Sequence, residues 1–315
     1  MPPANTQSAT PSSSSSFWGA WWQHALSTPW VSAGLGLSLV AIVVLLLASM
    51  WNAVNGDHAQ NLHLAMLGGL AGFSATALGA VLAVVLRDVS ARSQDVMLGF
   101  AAGMMLAASS FSLILPGLDA AREITGNGPT AALIVVLGMG LGVLLMLGLD
   151  RVIPHEHEST GPCGPEAERI NRVWLFVLAI TLHNLPEGMA IGVSFTNGDM
   201  SIGLPLTSAI AIQDIPEGLA VALALRATGL SNLKAALVAI GSGLMEPLGA
   251  VIGLGISTGF ALAYPVSMGL AAGAMIFVVS HEVIPETHRN GHQTAATLGL
   301  MGGFGVMMFL DTALG

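Results

Sequence analysis

Nine apolar runs dominate the chain, at 30–51, 62–86, 96–118, 130–149, 173–195, 201–225, 234–257, 265–284 and 294–314. Each is close to the roughly 20 residues that a helix needs to cross a hydrocarbon core of about 30 Å. In lipid every backbone polar group must find its partner inside the protein, which leaves helices or closed barrels. Runs this long and continuous select helices. The expected fold is an all-α integral membrane protein with about nine transmembrane helices. Composition agrees, since only 9% of the residues are charged against about 25% in soluble domains. The 39 glycines suit close helix contact in lipid. A formal charge of −9 points away from a nucleic-acid partner, and the single cysteine, Cys163, excludes an internal disulfide.

Residues 1–28 read as a disordered and interfacial N-terminus: Ser, Pro and Thr fill its first half, and Phe17, Trp18, Trp21 and Trp22 follow. Trp30 and Trp51 frame the first membrane helix, 29–52. A cleaved signal peptide would need a basic leader, and no Lys or Arg precedes Arg87. The other eight runs fill 60–315, and the longest loop between them is 150–172. With the N-terminus in the cytoplasm, eight of the nine Lys and Arg residues fall on the inner side and only Arg122 falls outside. The positive-inside rule therefore expects a cytoplasmic N-terminus and an external C-terminus.

One six-residue pattern occurs twice in this apolar background. His183-Asn184-Leu185-Pro186-Glu187-Gly188 lies in the fifth run, and Gln213-Asp214-Ile215-Pro216-Glu217-Gly218 lies 30 residues later, in the sixth. Residues four apart share a helix face, so His183 points with Glu187 and Gln213 with Glu217; Asn184 and Asp214 adjoin them. Pro186 and Pro216 withhold N–H groups from the carbonyls of Leu182 and Ile212, so each helix is expected to kink. The seventh run repeats the device as Glu246-Pro247. One charge at the bilayer centre costs about 2.5–17 kcal/mol, depending on method. Four central acids, Glu187, Asp214, Glu217 and Glu246, therefore need compensation, and no Lys or Arg lies at their depth. Protons or metal ions must supply it. Four carboxylates would neutralise two divalent cations, and imidazole beside them favours transition metals. Glu187 and Glu217 would bridge two ions, His183 and Gln213 completing one position and Asn184, Asp214 and Glu246 the other. Met105 lies on a polar face at similar depth and would add a thioether to the first ion.

Other polar residues extend the site to both surfaces. On the third run Met105, Ser109, Ser112, Pro116 and Asp119 recur at spacings of 4, 3, 4 and 3, one helix face leading outward. With Asp311 near the outer end of the last run, Ser109, Ser112 and Asp119 form the expected outer route. Asp150, His155 and His157 at the inner loop, with His281, Glu282 and Glu286 on the eighth run, form the expected inner route.

These motifs resemble the ZIP (Zrt-/Irt-like) metal transporters. The resemblance rests on His-Asn-Leu-Pro-Glu-Gly on one helix, a Pro-Glu-Gly motif on the next and a His-containing loop before them. It covers residues 60–315 as the family's eight helices; the helix at 29–52 is an N-terminal extra. It implies a 3+2+3 helix bundle with inverted repeats, a central and often binuclear site, and an elevator-like motion. It also implies a possible homodimer in the plasma (inner) membrane. The cargo would be Zn²⁺ or Cd²⁺, Fe²⁺ or Mn²⁺, moved into the cytoplasm, with no catalytic cofactor. The family pattern carries onto His183, Asn184, Glu187, Gln213, Asp214, Glu217 and Glu246. A passive divalent-metal channel, a membrane metal sensor and an intramembrane metalloenzyme are the alternatives. Against the last, His281-Glu282 lacks the second histidine of a His-Glu-x-x-His motif, and no Glu-x-x-His pair lies at mid-membrane.

Overall fold

The computed structural model describes residues 26–53, 59–86, 89–152, 155–157, 161–163, 172–227 and 229–314. In chain order its helices are α1 (Pro29–Ala53), α2 (Ala59–Val85), α3 (Ala91–Ala108), α4 (Leu115–Thr125), α5 (Gly128–Val152) and α6 (Arg172–Ser194). They continue with α7 (Met200–Ala227), α8 (Asn232–Ser242), α9 (Met245–Ser257), α10 (Ala263–Val278), α11 (Ile284–Thr287) and α12 (Gln293–Leu314). Three crossings are compound: α3 with α4, α8 with α9, and α10 with α11. Among the described residues, seven stretches are long and apolar enough to cross a membrane, and α1 and α6, at 25 and 23 residues, are further long apolar helices. The expected all-α membrane fold is present. A small antiparallel hairpin, β1 (His155–His157) and β2 (Gly161–Cys163), follows α5 and pairs His155 with Cys163. Residues 1–25 of the expected interfacial segment lie outside the described residues.

Glycines explain why these helices pair as they do. Gly188 and Gly192 of α6 meet the backbone carbonyls of Glu246 and Ala250, and Gly249 and Gly253 of α9 meet those of Leu185 and Met189. Gly138 and Gly142 of α5 face α10 in the same way, with Gly269 and Gly273 answering. Gly99 and Gly103 of α3 are matched by Gly299 and Gly303 of α12. Each pair of glycines is four apart, so one bare stripe meets another and the backbones touch. Gly79 of α2 and Gly218 of α7 make a fourth close crossing.

The pairs assemble into two groups. In one, α9 packs on α6 and α2, and α2 packs on α7 and α8. In the other, α12 packs on α3, and α10 packs on α5. α3 against α7 and α10 against α6 form the seam between them. Met104, Met105, Leu206, Ile210, Met268 and Met275 are buried in the large apolar cluster that fills this seam. α1 packs on α5 and also reaches α9. Buried Asp95 of α3 ties down the turn before α12, accepting from Asn290 Nδ2 at 2.9 Å and lying 2.8 Å from His292 Nδ1.

Proline shapes three crossings. Pro116 cannot donate to the carbonyl of Ser112, and the helix widens to a π-turn at Ser109–Ile114. Pro285 does the same to His281, within a π-turn at Val279–Val283. Pro247 leaves the carbonyl of Gly243 without its α-helical donor; Glu246 N–H takes it instead at 3.1 Å, and α8 breaks from α9 at Gly243–Leu244. By contrast, α6 and α7 run through Pro186 and Pro216 without a break. The reading of 105–119 as one α-helical face is corrected by the first π-turn, which inserts an extra residue into the register. Met105, Ser109 and Ser112 are buried together, but the Asp119 side chain is 70% exposed.

Candidate metal centre

The two hexapeptides bring their acids to one place because α6 and α7 belong to the same helix group. Glu187, Asp214 and Glu217 each offer a carboxylate oxygen, and these three atoms lie within 4.8 Å of one another. Gln213 Nε2 donates to Glu187 Oε1 at 2.8 Å, which ties the first motif to the second. Glu246 joins from the first turn of α9, where an acid is favoured by the helix N-terminus. Its Oε1 accepts from Thr76 Oγ1 of α2 at 2.7 Å. Its Oε2 fills the place that a side chain at Gly72 would take, with Asp214 Oδ2 3.2 Å from that same point.

The donor set is unbalanced. Gln213 Oε1, Asp214 Oδ2, Glu217 Oε2 and Glu246 Oε2 are buried acceptors with no hydrogen-bond partner, and Asn184 Nδ2 is a donor in the same condition. A buried acceptor left unpaired costs about 1–3 kcal/mol, and more when it is charged. The Arg–carboxylate pairs among the described residues, Arg122–Asp119 and Arg289–Glu286, lie elsewhere. Four orphaned oxygens from two helices, three on α7 and one on α9, are what a divalent cation would satisfy.

Met105 stands apart from this cluster, and His183 lies at its edge, close enough for its charge to act on Glu217. His183 Nε2 lies 3.4 Å from Glu282 Oε2 on the π-turn of the other helix group. Met105 is packed in the apolar seam. His281, next to Glu282, stacks on Phe277 and lies 3.9 Å from Asp150 Oδ2. Asp150, His281, Glu282 and His183 thus form a polar chain from the end of α5 to the centre. Glu286 pairs with Arg289 at 3.3 Å. His155 and His157 sit on β1, and their side chains lie outside the described residues. On the other side Ser112 Oγ donates to Asp311 Oδ1 at 2.7 Å, joining the first π-turn to α12. Ser109 is turned to its own helix, donating to the carbonyl of Met105 at 2.8 Å. Asp119 pairs with Arg122 at the surface.

Sequence reasoning missed Gly72 and Thr76. A threonine and a glycine in an apolar helix are ordinary, but a signal was present: Gly69, Gly72, Thr76 and Gly79 recur at spacings of 3, 4 and 3, one small-residue row.

The chain matches the family described as ZIP zinc transporter over residues 151–311. It is 70% identical over 297 residues to the zinc transporter ZIPB of Bordetella bronchiseptica, covering 94% of this chain and 96% of that one. It is 43% identical over 243 residues to the zinc transporter GufA of Myxococcus xanthus, covering 77% and 95%. To the human zinc transporter ZIP11 it is 31% identical over 335 residues, covering 80% and 97%.

Proposed function

The chain belongs to the ZIP zinc transporter family, and from that premise we propose that this multi-pass membrane protein carries Zn²⁺ into the cytoplasm by alternating access. The observation that carries the reading is the orphaned oxygen cluster of Gln213, Asp214, Glu217 and Glu246, buried where a divalent cation would satisfy it. Glu187 and Glu217 are read as the bridging pair between two ions. Gln213 and His183 serve the first position, with Met105 in reach only if the seam repacks. Asn184, Asp214 and Glu246 serve the second. Cd²⁺, Fe²⁺ and Mn²⁺ are further expected cargoes, since carboxylate, amide and imidazole donors accept all of them.

The division of labour between the helix groups supports the transport step. Every central acid lies on α6, α7 or α9. The route residues Ser112, Asp311, Asp150, His281 and Glu282 all belong to the other group or to its π-turns. A centre carried by one group and passed between two polar routes on the other is the arrangement that an elevator-like carrier needs. The seam between them is rich in methionine, a flexible side chain that repacks at low cost. The N-terminus is read as cytoplasmic, and a homodimer in the inner membrane is expected.

Purified protein in liposomes with a zinc-sensitive dye inside tests this. The expected result is uptake that saturates with external Zn²⁺ at low turnover. Uptake that stays linear in concentration would make the protein a channel, and tight zinc binding without uptake would make it a sensor.

A further inference from the structure

Thr76, like Ser38 and Ser112, bonds across to another helix, whereas many membrane hydroxyls do not. Ser74, Ser109, Ser110, Thr297 and Thr312 each donate to the carbonyl four residues back on their own helix, the usual outcome for Ser and Thr inside helices. For Thr76 that carbonyl would be Gly72. Instead its hydroxyl reaches across to Glu246 Oε1 on α9, 170 residues away, at 2.7 Å and fully buried. Its β-carbon and methyl pack beside Gly243, at the break that frees Glu246 from α8. One carboxylate oxygen is thereby occupied, and the other, Oε2, is left without a partner. Gly72, one turn back, supplies the room for that free oxygen, and Asp214 Oδ2, also without a partner, borders the same space.

We propose that Thr76 and Gly72 are positioning residues for the second of the two cations: together they hold Glu246 so that its Oε2 and Asp214 Oδ2 line one side of that position. Thr76 touches no cargo itself. Its hydroxyl fixes the rotation of the Glu246 carboxylate, as outer hydrogen bonds fix ligands in metal sites. The proposal rests on the two-ion reading of the centre. A position built from oxygen donors alone would accept harder divalent ions, such as Mn²⁺, more readily than one assisted by imidazole.

The test is a two-step Zn²⁺ titration of the purified full chain, by calorimetry or equilibrium dialysis. Wild type is expected to bind two ions. Thr76→Val keeps the branched shape beside Gly243 and deletes only the hydroxyl. It should leave the first step intact and weaken the second about 10- to 100-fold. Thr76→Ser should restore the second step, and Gly72→Ala, which displaces Glu246 Oε2, should lose it. The proposal is overturned if Thr76→Val binds both ions as wild type does. It is equally overturned if Thr76→Ser loses the second step, because packing of the methyl is then the cause. Loss of both steps in Thr76→Val overturns it too, since the hydroxyl then serves the fold. Wild type binding a single ion would instead refute the two-ion reading beneath it, and would show before any variant is made.

Discussion

Glu246 owes its place to three residues that carry no charge. Pro247 breaks the helix before it, Thr76 holds one carboxylate oxygen, and Gly72 makes space for the other. The remaining acids hang on unbroken helices, and Gln213 links Glu187 to the second motif. The two motifs are therefore unequal, and their variants should differ. Asp214→Ala is expected to reduce bound zinc from two ions per chain to one, while Glu187→Ala, removing a shared wall, should lose both; metal analysis after dialysis checks this. The acids were legible in the sequence because charge in an apolar run is expensive without a partner. Thr76 and Gly72 were not, because their function exists only once α2 lies against α9. His183 shows the same limit. Its spacing from Glu187 predicts a shared face, but the structure turns its Nε2 toward Glu282, a residue 99 positions along the chain.

At the level of elements, backbone contact does the assembling. α6 and α9 meet through four glycines, and a side chain at any of them would enter the facing backbone. Gly253→Leu is expected to lower the midpoint of thermal unfolding in detergent by several degrees, the effect of overpacking that costs about 1–3 kcal/mol or more. Pro247→Ala should act in the opposite sense on stability. It returns an N–H to the carbonyl of Gly243, heals the break and moves Glu246, so zinc affinity falls about 10-fold while thermal stability holds or rises. A titration beside a melting curve separates the two effects. Helix positions were readable from the length of the apolar runs. The π-turns were not, because a regular 3.6 period assumes that no register shift occurs. Both prolines responsible were visible, but a proline alone does not say whether a helix kinks, widens or breaks, and this chain shows a π-turn, a break and an unbroken helix at different prolines.

Across the whole molecule, the central acids lie in one helix group, and Ser112, Asp311, Asp150, His281 and Glu282 lie in the other. The contact between His183 and Glu282 crosses the seam. The proposed orientation is tested at the loops. With Cys163 replaced by serine, Asn127→Cys in the turn between α4 and α5 should react with a membrane-impermeant maleimide in intact cells. Arg289→Cys, between α11 and α12, should react only after permeabilisation; the reverse pattern would invert the topology. The most direct measurement is zinc uptake into liposomes by the double variant Glu187→Ala, Glu217→Ala beside wild type, with matched thermal melting to show that both are folded. Uptake at the background of empty liposomes is predicted, because both bridging walls are gone. Uptake at the wild-type rate would contradict the account: the ions would then cross without the buried carboxylates of α6 and α7.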